Sequence, residues 1–276
     1  MPPSSIFRRQ ADDRLLATVS SLVVAVGSLL AGGTIGFTAG VLGIGGGLFA
    51  IPLLGLLLGM DQQMAQGTAL IMVFPAVVVT LRNYNRHHRI DWRAAAVGGG
   101  VSMVFTWLGA RLALDMDSSL LRQIYALFVL LIAIFYFYQT RKRSTATTAT
   151  RSWPARPLQS LWWFVPVGMI GGLTGGVFGV GGSVVVVPLF TTLFGHRQIV
   201  AQGLGLSMVL PGNLIAITTY AWHGQVDWVA GVPLAIGGMM LVPYGVRLAV
   251  SLPERRLKRL FAFMLLVIMV LLLVSV

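Results

Sequence analysis

The chain has 276 residues, of which 56% are hydrophobic and only 10% charged, against about 25% charged in a soluble domain. No water-soluble fold hides that much apolar surface, so composition excludes a soluble enzyme or binding module. The net charge of +12 sits on Arg and Lys between apolar runs, where it orients helices and marks no nucleic-acid partner, and the absence of cysteine removes disulfides and thiolate metal sites.

In chain order, residues 1–14 read as a polar tail. Arg8, Arg9 and Arg14 precede an apolar run too long for a signal-peptide core, so that run is expected to be a retained helix. A Gly-rich helix leads to a glycine cluster at 43–47, followed by a short apolar piece, Leu48 to Leu58. Three longer helices are expected near 64–82, 92–112 and 119–138, completing a first transmembrane repeat over 15–138. Residues 139–160 form a basic, Ser/Thr-rich linker. The second repeat, 161–276, runs through the same series: a glycine cluster at 179–183, a short piece from Val184 to Phe194, and helices near 200–221, 228–250 and 256–275. The apolar runs are continuous and do not alternate with polar residues, which points to helices and not a barrel. The fold class is therefore an all-α polytopic membrane protein with about 8–10 membrane segments.

The duplication is ungapped. A shift of 136 residues carries Gly43-Ile44-Gly45-Gly46-Gly47 onto Gly179-Val180-Gly181-Gly182-Ser183, Pro52 onto Pro188, Gln66-Gly67 onto Gln202-Gly203, and Pro75 onto Pro211. It continues through Tyr84 onto Tyr220, His87 onto His223, Asp91-Trp92 onto Asp227-Trp228, and Arg111 onto Arg247. Corresponding loops carry opposite charge bias: 82–93 is rich in Arg where its counterpart has none, and 115–118 is acidic where its counterpart leads into Glu254-Arg255-Arg256-Leu257-Lys258-Arg259. Under the positive-inside rule that is the signature of inverted-topology repeats, with 82–93, 139–160 and 251–259 in the cytoplasm.

Gly36-x-x-x-Gly40 and Gly172-x-x-x-Gly176 read as close-packing seams. The denser clusters at 43–47 and 179–183 would weaken a helix by about 1 kcal/mol per glycine and read as breaks. The pieces after them are too short to span, so each is half of a broken helix or a re-entrant segment. Their first turns would offer free backbone amides to an anion through Gly45, Gly46, Gly47, Gly181, Gly182 and Ser183. Gln66, Thr68, Gln202 and Ser207 could complete that site, with Asn213, Thr38 and Thr174 nearby; the Thr and Ser hydroxyls could equally bond back to their own helices or bridge between helices. Asp91 and Asp227 read as helix N-caps, and Ser251-x-x-Glu254 as a capping box. Arg111 and Arg247 read as interfacial anchors or anion gates, His87 and His223 as surface or titrating groups. No intramembrane carboxylate pair, metal-ligand spacing, nucleotide loop or catalytic cluster stands out, so neither cofactor nor enzymatic chemistry is expected.

The doubled pattern resembles the TauE/SafE family of membrane permeases. It rests on Gly40-Val41-Leu42-Gly43-Ile44-Gly45-Gly46-Gly47 with Pro52 and Ala65-Gln66-Gly67-Thr68, recurring as Gly176-Val177-Phe178-Gly179-Val180-Gly181-Gly182-Ser183 with Pro188 and Ala201-Gln202-Gly203. The resemblance implies a multi-pass permease of the bacterial inner membrane that exports sulfite or organosulfonates, with the small anion and membrane lipid as partners and a homo-oligomer open. An anion channel of the same fold, an importer of a related anion, and a membrane assembly subunit are the alternatives.

Overall fold

The computed structural model describes residues 4–43, 45–87, 92–142, 161–195 and 198–253, with part of 256–268. Every regular element among them is helical. The first repeat supplies α1 (Ser4–Leu42), α2 (Gly47–Leu58), α3 (Gln62–His87), α4 (Trp92–Asp115) and α5 (Ser118–Lys142). After a 3₁₀ turn, Leu161–Trp163, the second supplies α6 (Phe164–Phe178), α7 (Ser183–Thr192), α8 (Gln198–Trp222) and α9 (Trp228–Ser251). Seven of these helices are long and apolar enough to cross a bilayer, and α2 and α7 are the two shorter apolar ones. The described residues within 256–268 are helical, and most of the helix expected at 256–275 lies outside the described residues. The polar stretch before residue 15 is helical from Ser4 onward, because its Arg, Gln and Ala residues are good helix formers continuous with the span. Asp227 caps α9 as expected, accepting from the Val229 and Ala230 amides at 2.8 and 3.2 Å. Asp91 and Glu254 lie outside the described residues. Ser251 ends α9, its hydroxyl donating back to the Leu248 carbonyl at 2.9 Å.

The two glycine seams do not hold each half together; they join one half to the other. Helix α1 packs on α9, with Gly32 against Leu234, Gly36 against Gly238 and Gly40 against Val242. The 136-residue shift turns these pairs into Gly168 on Gly98, Gly172 on Ser102 and Gly176 on Thr106, which is how α6 packs on α4. Within each seam residue numbers rise together, so α1 runs parallel to α9 and α6 parallel to α4. A Cβ on Gly172 or Gly168 would sit 2.5 Å from the facing carbonyl oxygen, so only glycine permits this backbone approach. Gly176→Leu, whose Cβ would overlap the Thr106 carbonyl, is expected to cost about 1–3 kcal/mol or more. Purified protein in detergent should show it as a lowered thermal midpoint. Gly100→Ala on α4 has open space around it and should leave that midpoint unchanged.

Helices α3 and α8, the mates under the shift, run antiparallel through the centre. Tyr84 near the end of α3 meets Gln202 near the start of α8, and Tyr220 near the end of α8 meets Gln66 near the start of α3. Helices α1, α3 and α9 run in one direction, with Gly40 beside Tyr84 and Val246, and α3 and α9 finish at the same end of the bundle. Arg82 and the end of α9 therefore share that end. The starts of α3 and α9 and the ends of α4 and α8 share the other: Thr68 accepts from the Asp227 amide at 2.9 Å, and the Gln63 amide donates to the Met116 carbonyl at 2.8 Å.

Both glycine clusters reverse the chain. Gly46 lies against Ala39 and, eleven residues back, Ile35, and Gly182 against Gly175 and, eleven residues back, Gly171. A helix that merely continued after the break would carry those residues about 16 Å apart. Each cluster is thus the tip of a helical hairpin, α1–α2 and α6–α7. Of the two forms expected from the sequence, the chain reversal fits the re-entrant one.

Candidate functional site

The hairpin tips meet at mid-depth. A Cβ on Gly47 would lie 2.9 Å from the Gly179 carbonyl oxygen and 3.1 Å from Val180 Cα, and Val73 touches both Gly45 and Gly181. Gly43 and Gly179 adopt φ of 65° and 64° and close their helices by donating to Ala39 and Gly175 at 2.8 and 3.0 Å. That left-handed geometry suits glycine alone, and each such glycine is covered by a glutamine of the other repeat. Gln202 lies over Gly43 and Gln66 over Gly179, where added Cβ atoms would come within 2.7 and 2.9 Å of the covering side chain.

The two glutamines are equivalent in position and different in bonding. Gln202 is saturated at both ends: its oxygen accepts from the Tyr84 hydroxyl at 3.1 Å, and its amide donates to the Leu42 carbonyl at 2.5 Å. Gln66 accepts from the Tyr220 hydroxyl at 2.8 Å, but its buried Nε2 has no partner. Ser183 Oγ, at the first position of α7, is buried and unpartnered. So is Nδ2 of Asn213, whose side chain approaches the Cβ position of Gly181 to 3.3 Å. Each orphaned buried donor costs about 1–3 kcal/mol unless something accepts from it. The second tip therefore offers donors of three different residues to an acceptor. None of the groups crowding Gly179, Gly181 and Gly182 is formally charged. The positive end of the α7 dipole adds to the site without a side-chain cation.

Of the backbone amides expected at the tips, that of Ser183 is engaged within the turn. Ser183 N–H donates to the Gly181 carbonyl at 2.7 Å, and Val185 and Val186 both donate to the Gly182 carbonyl at 3.2 Å. At the first tip Phe49 and Ala50 donate to the Gly46 carbonyl at 3.1 Å. The carbonyl of each capping glycine collects two amides of the turn that follows it, and the unpartnered side-chain donors at the second tip are those of Gln66, Ser183 and Asn213.

Gln66, Ser183, Gly181 and Gly182 come together at that tip, and Gly45, Gly46 and Gly47 lie at the other. Thr68 accepts from the Asp227 amide in the loop before α9, a bridge between elements, and the Ser207 hydroxyl donates to the Leu204 carbonyl of its own helix at 2.7 Å. Thr38 and Thr174 also donate to their own helices, to the Ile35 and Ile170 carbonyls at 2.7 Å. Arg111 and His223 meet at the rim, with Arg111 Nη1 3.3 Å from His223 Nε2 and His223 Nδ1 2.8 Å from the Thr219 carbonyl. With Nδ1 donating to that carbonyl, Nε2 is left to accept from the guanidinium, which also stands 5.7 Å from the Trp107 ring centre. The side chain of His87 lies outside the described residues. Among the described residues no cluster of His, Asp or Glu could hold a metal ion.

A bundle of apolar helices with two re-entrant hairpins meeting at mid-depth, and orphaned donors at the junction, defines a multi-pass membrane transporter, and comparison with known proteins agrees. The chain matches the sulfite exporter TauE/SafE family over residues 28–272 and belongs to it. It is 30% identical over 249 residues to a probable membrane transporter protein of Xylella fastidiosa, covering 88% of this chain and 92% of that one. Probable membrane transporter proteins of Methanocaldococcus jannaschii and Bacillus subtilis (YdhB) are each 26% identical. They cover 80% and 81% of this chain and 85% and 90% of their own. No solved structure matches the chain.

Proposed function

We propose that the chain is a secondary transporter that exports small sulfur-containing oxyanions, sulfite or an organosulfonate, across the bacterial inner membrane by alternating access. The observation that carries this reading is the trio of buried donors without acceptors at the second hairpin tip, Gln66 Nε2, Ser183 Oγ and Asn213 Nδ2. An –SO₃ group presents three acceptor oxygens and no donor, which complements such a site. Cations are disfavoured there, because the facing groups are amide and hydroxyl donors beside the positive end of a helix. The family's description as sulfite exporters supports the same substrate class.

The antiparallel α3 and α8, and seams that exchange under the shift, fit two inverted halves rocking about the paired tips. In that reading the end carrying Arg82 faces the cytoplasm. A membrane potential negative inside then drives export by about 2.3 kcal/mol per charge for each 100 mV. Proteoliposomes loaded with sulfite, sulfoacetate or taurine test the proposal. Saturable efflux of sulfite or sulfoacetate, accelerated by a potential negative inside, is expected. Flux of neither, or flux that never saturates, would overturn it.

A further inference from the structure

The two halves match in contacts but not in chemistry, and the mismatch lies on one side. Ser102, Ser183 and Asn213 each bury an unpartnered polar atom. Their mates under the 136-residue shift are Gly238, Gly47 and Val77. Thr106, buried one turn beyond Ser102 on α4, has Val242 as its mate on α9. Gly212 on α8 lets that helix approach these groups closely: a Cβ there would lie 2.5 Å from Thr106 Oγ1 and 2.7 Å from Ser102 Oγ. The mate of Gly212 is Ala76.

The mirror-related seam between α3 and α9 is closed by hydrocarbon. Val73, Ala76, Val77, Leu81, Val242 and Val246 belong to one buried apolar cluster there. One seam therefore presents hydroxyls and an amide along α4 and α8 up to the second tip, and the other presents only apolar side chains at the same positions. Folding from duplicated halves does not require this difference, since the two seams are related by the 136-residue shift. Orphaned donors at three of the positions on one side call for an occupant on that side.

We propose that the solute's path is confined to the α4–α8 side, lined by Ser102, Thr106 and Asn213, and that the α3–α9 side is a permanently dry seam. The proposal rests on the reading of the chain as an anion transporter, and its test separates the two. Because the chain has no cysteine, single cysteines can be placed without further engineering. Asn213→Cys and Thr106→Cys are compared with their mates Val77→Cys and Val242→Cys, in full-length protein in proteoliposomes. A charged, water-soluble methanethiosulfonate reagent is the probe, with and without sulfoacetate.

The expected result is labelling at 213 and 106 about tenfold or more faster than at 77 and 242, slowed by sulfoacetate. Equal labelling on both sides, or labelling confined to 77 and 242, overturns the one-sided path, as does failure to label any position in a protein that transports. One-sided labelling with no protection by sulfoacetate or sulfonate flux supports the path and overturns the anion reading instead. A second measurement uses residues the fold already accepts at the mirror positions. Asn213→Val and Thr106→Val should each lower initial flux about tenfold, the scale of one hydrogen bond to a charged group. Unchanged flux in both overturns the proposal.

Discussion

Gly182→Ala is expected to abolish transport and to destabilise the protein by roughly 3 kcal/mol or more, the combined scale of left-handed strain and overpacking. Gly182 has φ of 65°, and a Cβ there would overlap the Gly171 carbonyl oxygen on the facing arm of the hairpin. Neither group can yield, since both are backbone at the place where the chain reverses. Gly59 supplies the control. It has φ of 62° with nothing within 4 Å of its Cβ position, so Gly59→Ala should cost only the left-handed strain, about 1–2 kcal/mol. Thermal unfolding of both variants beside efflux assays would check this. Equal losses at the two positions would show that conformational strain, and not the tightness of the hairpin, sets the requirement for glycine.

The second large effect separates two residues that the sequence makes twins. Gln66→Leu should lower transport by about 10–100-fold, the range for losing a hydrogen bond to a charged group, with a modest loss of stability. Tyr220 loses one acceptor there but keeps the Gly176 carbonyl at 3.1 Å. Gln202→Leu should act in the opposite balance. It removes both the acceptor for Tyr84 and the donor for the buried Leu42 carbonyl, so a stability loss of about 2–4 kcal/mol is expected, from two disrupted buried hydrogen bonds. Transport per folded molecule should fall less. Indistinguishable phenotypes would contradict the division of labour between the free and the saturated amide.

Much of the architecture was legible in the sequence, because the duplication is ungapped and glycine leaves a distinct mark. The breaks at 43–47 and 179–183, the short helices after them and the packing stripes on α1 and α6 all follow from residue type and spacing. Whether the chain continues or reverses at a break does not follow from local propensity. It depends on Gly46 meeting Ile35 and Gly182 meeting Gly171, contacts that spacing does not encode. The seams were legible as seams but not as contacts between halves, since a glycine stripe does not name the helix that will cover it.

The candidate site was legible in outline and misleading in detail for a related reason. Gln66 and Gln202 sit in the same motif, and their different bonding arises from the way each side chain settles over its tip. Thr68 and Ser207 carry hydroxyls suited to a site, yet each has an acceptor or donor close at hand that satisfies it locally. Asn213 carried a readable signal: it is the position where an amide replaces the valine of the other half. A chemical difference between mates marks a position that duplication of the fold alone does not explain. Ser102 and Thr106 were readable in the same way, against Gly238 and Val242.

The crossed seams also bear on how such a chain is made. During synthesis α1 enters the bilayer long before α9, which begins at Trp228, exists to cover its glycine stripe. Helix α6, by contrast, emerges after its partner α4 is already in place. The newborn protein therefore completes one seam while the other waits, and α1 must spend most of translation with bare backbone facing lipid or a chaperone. Final assembly is then a single late closure that knots the last part of the chain to the first.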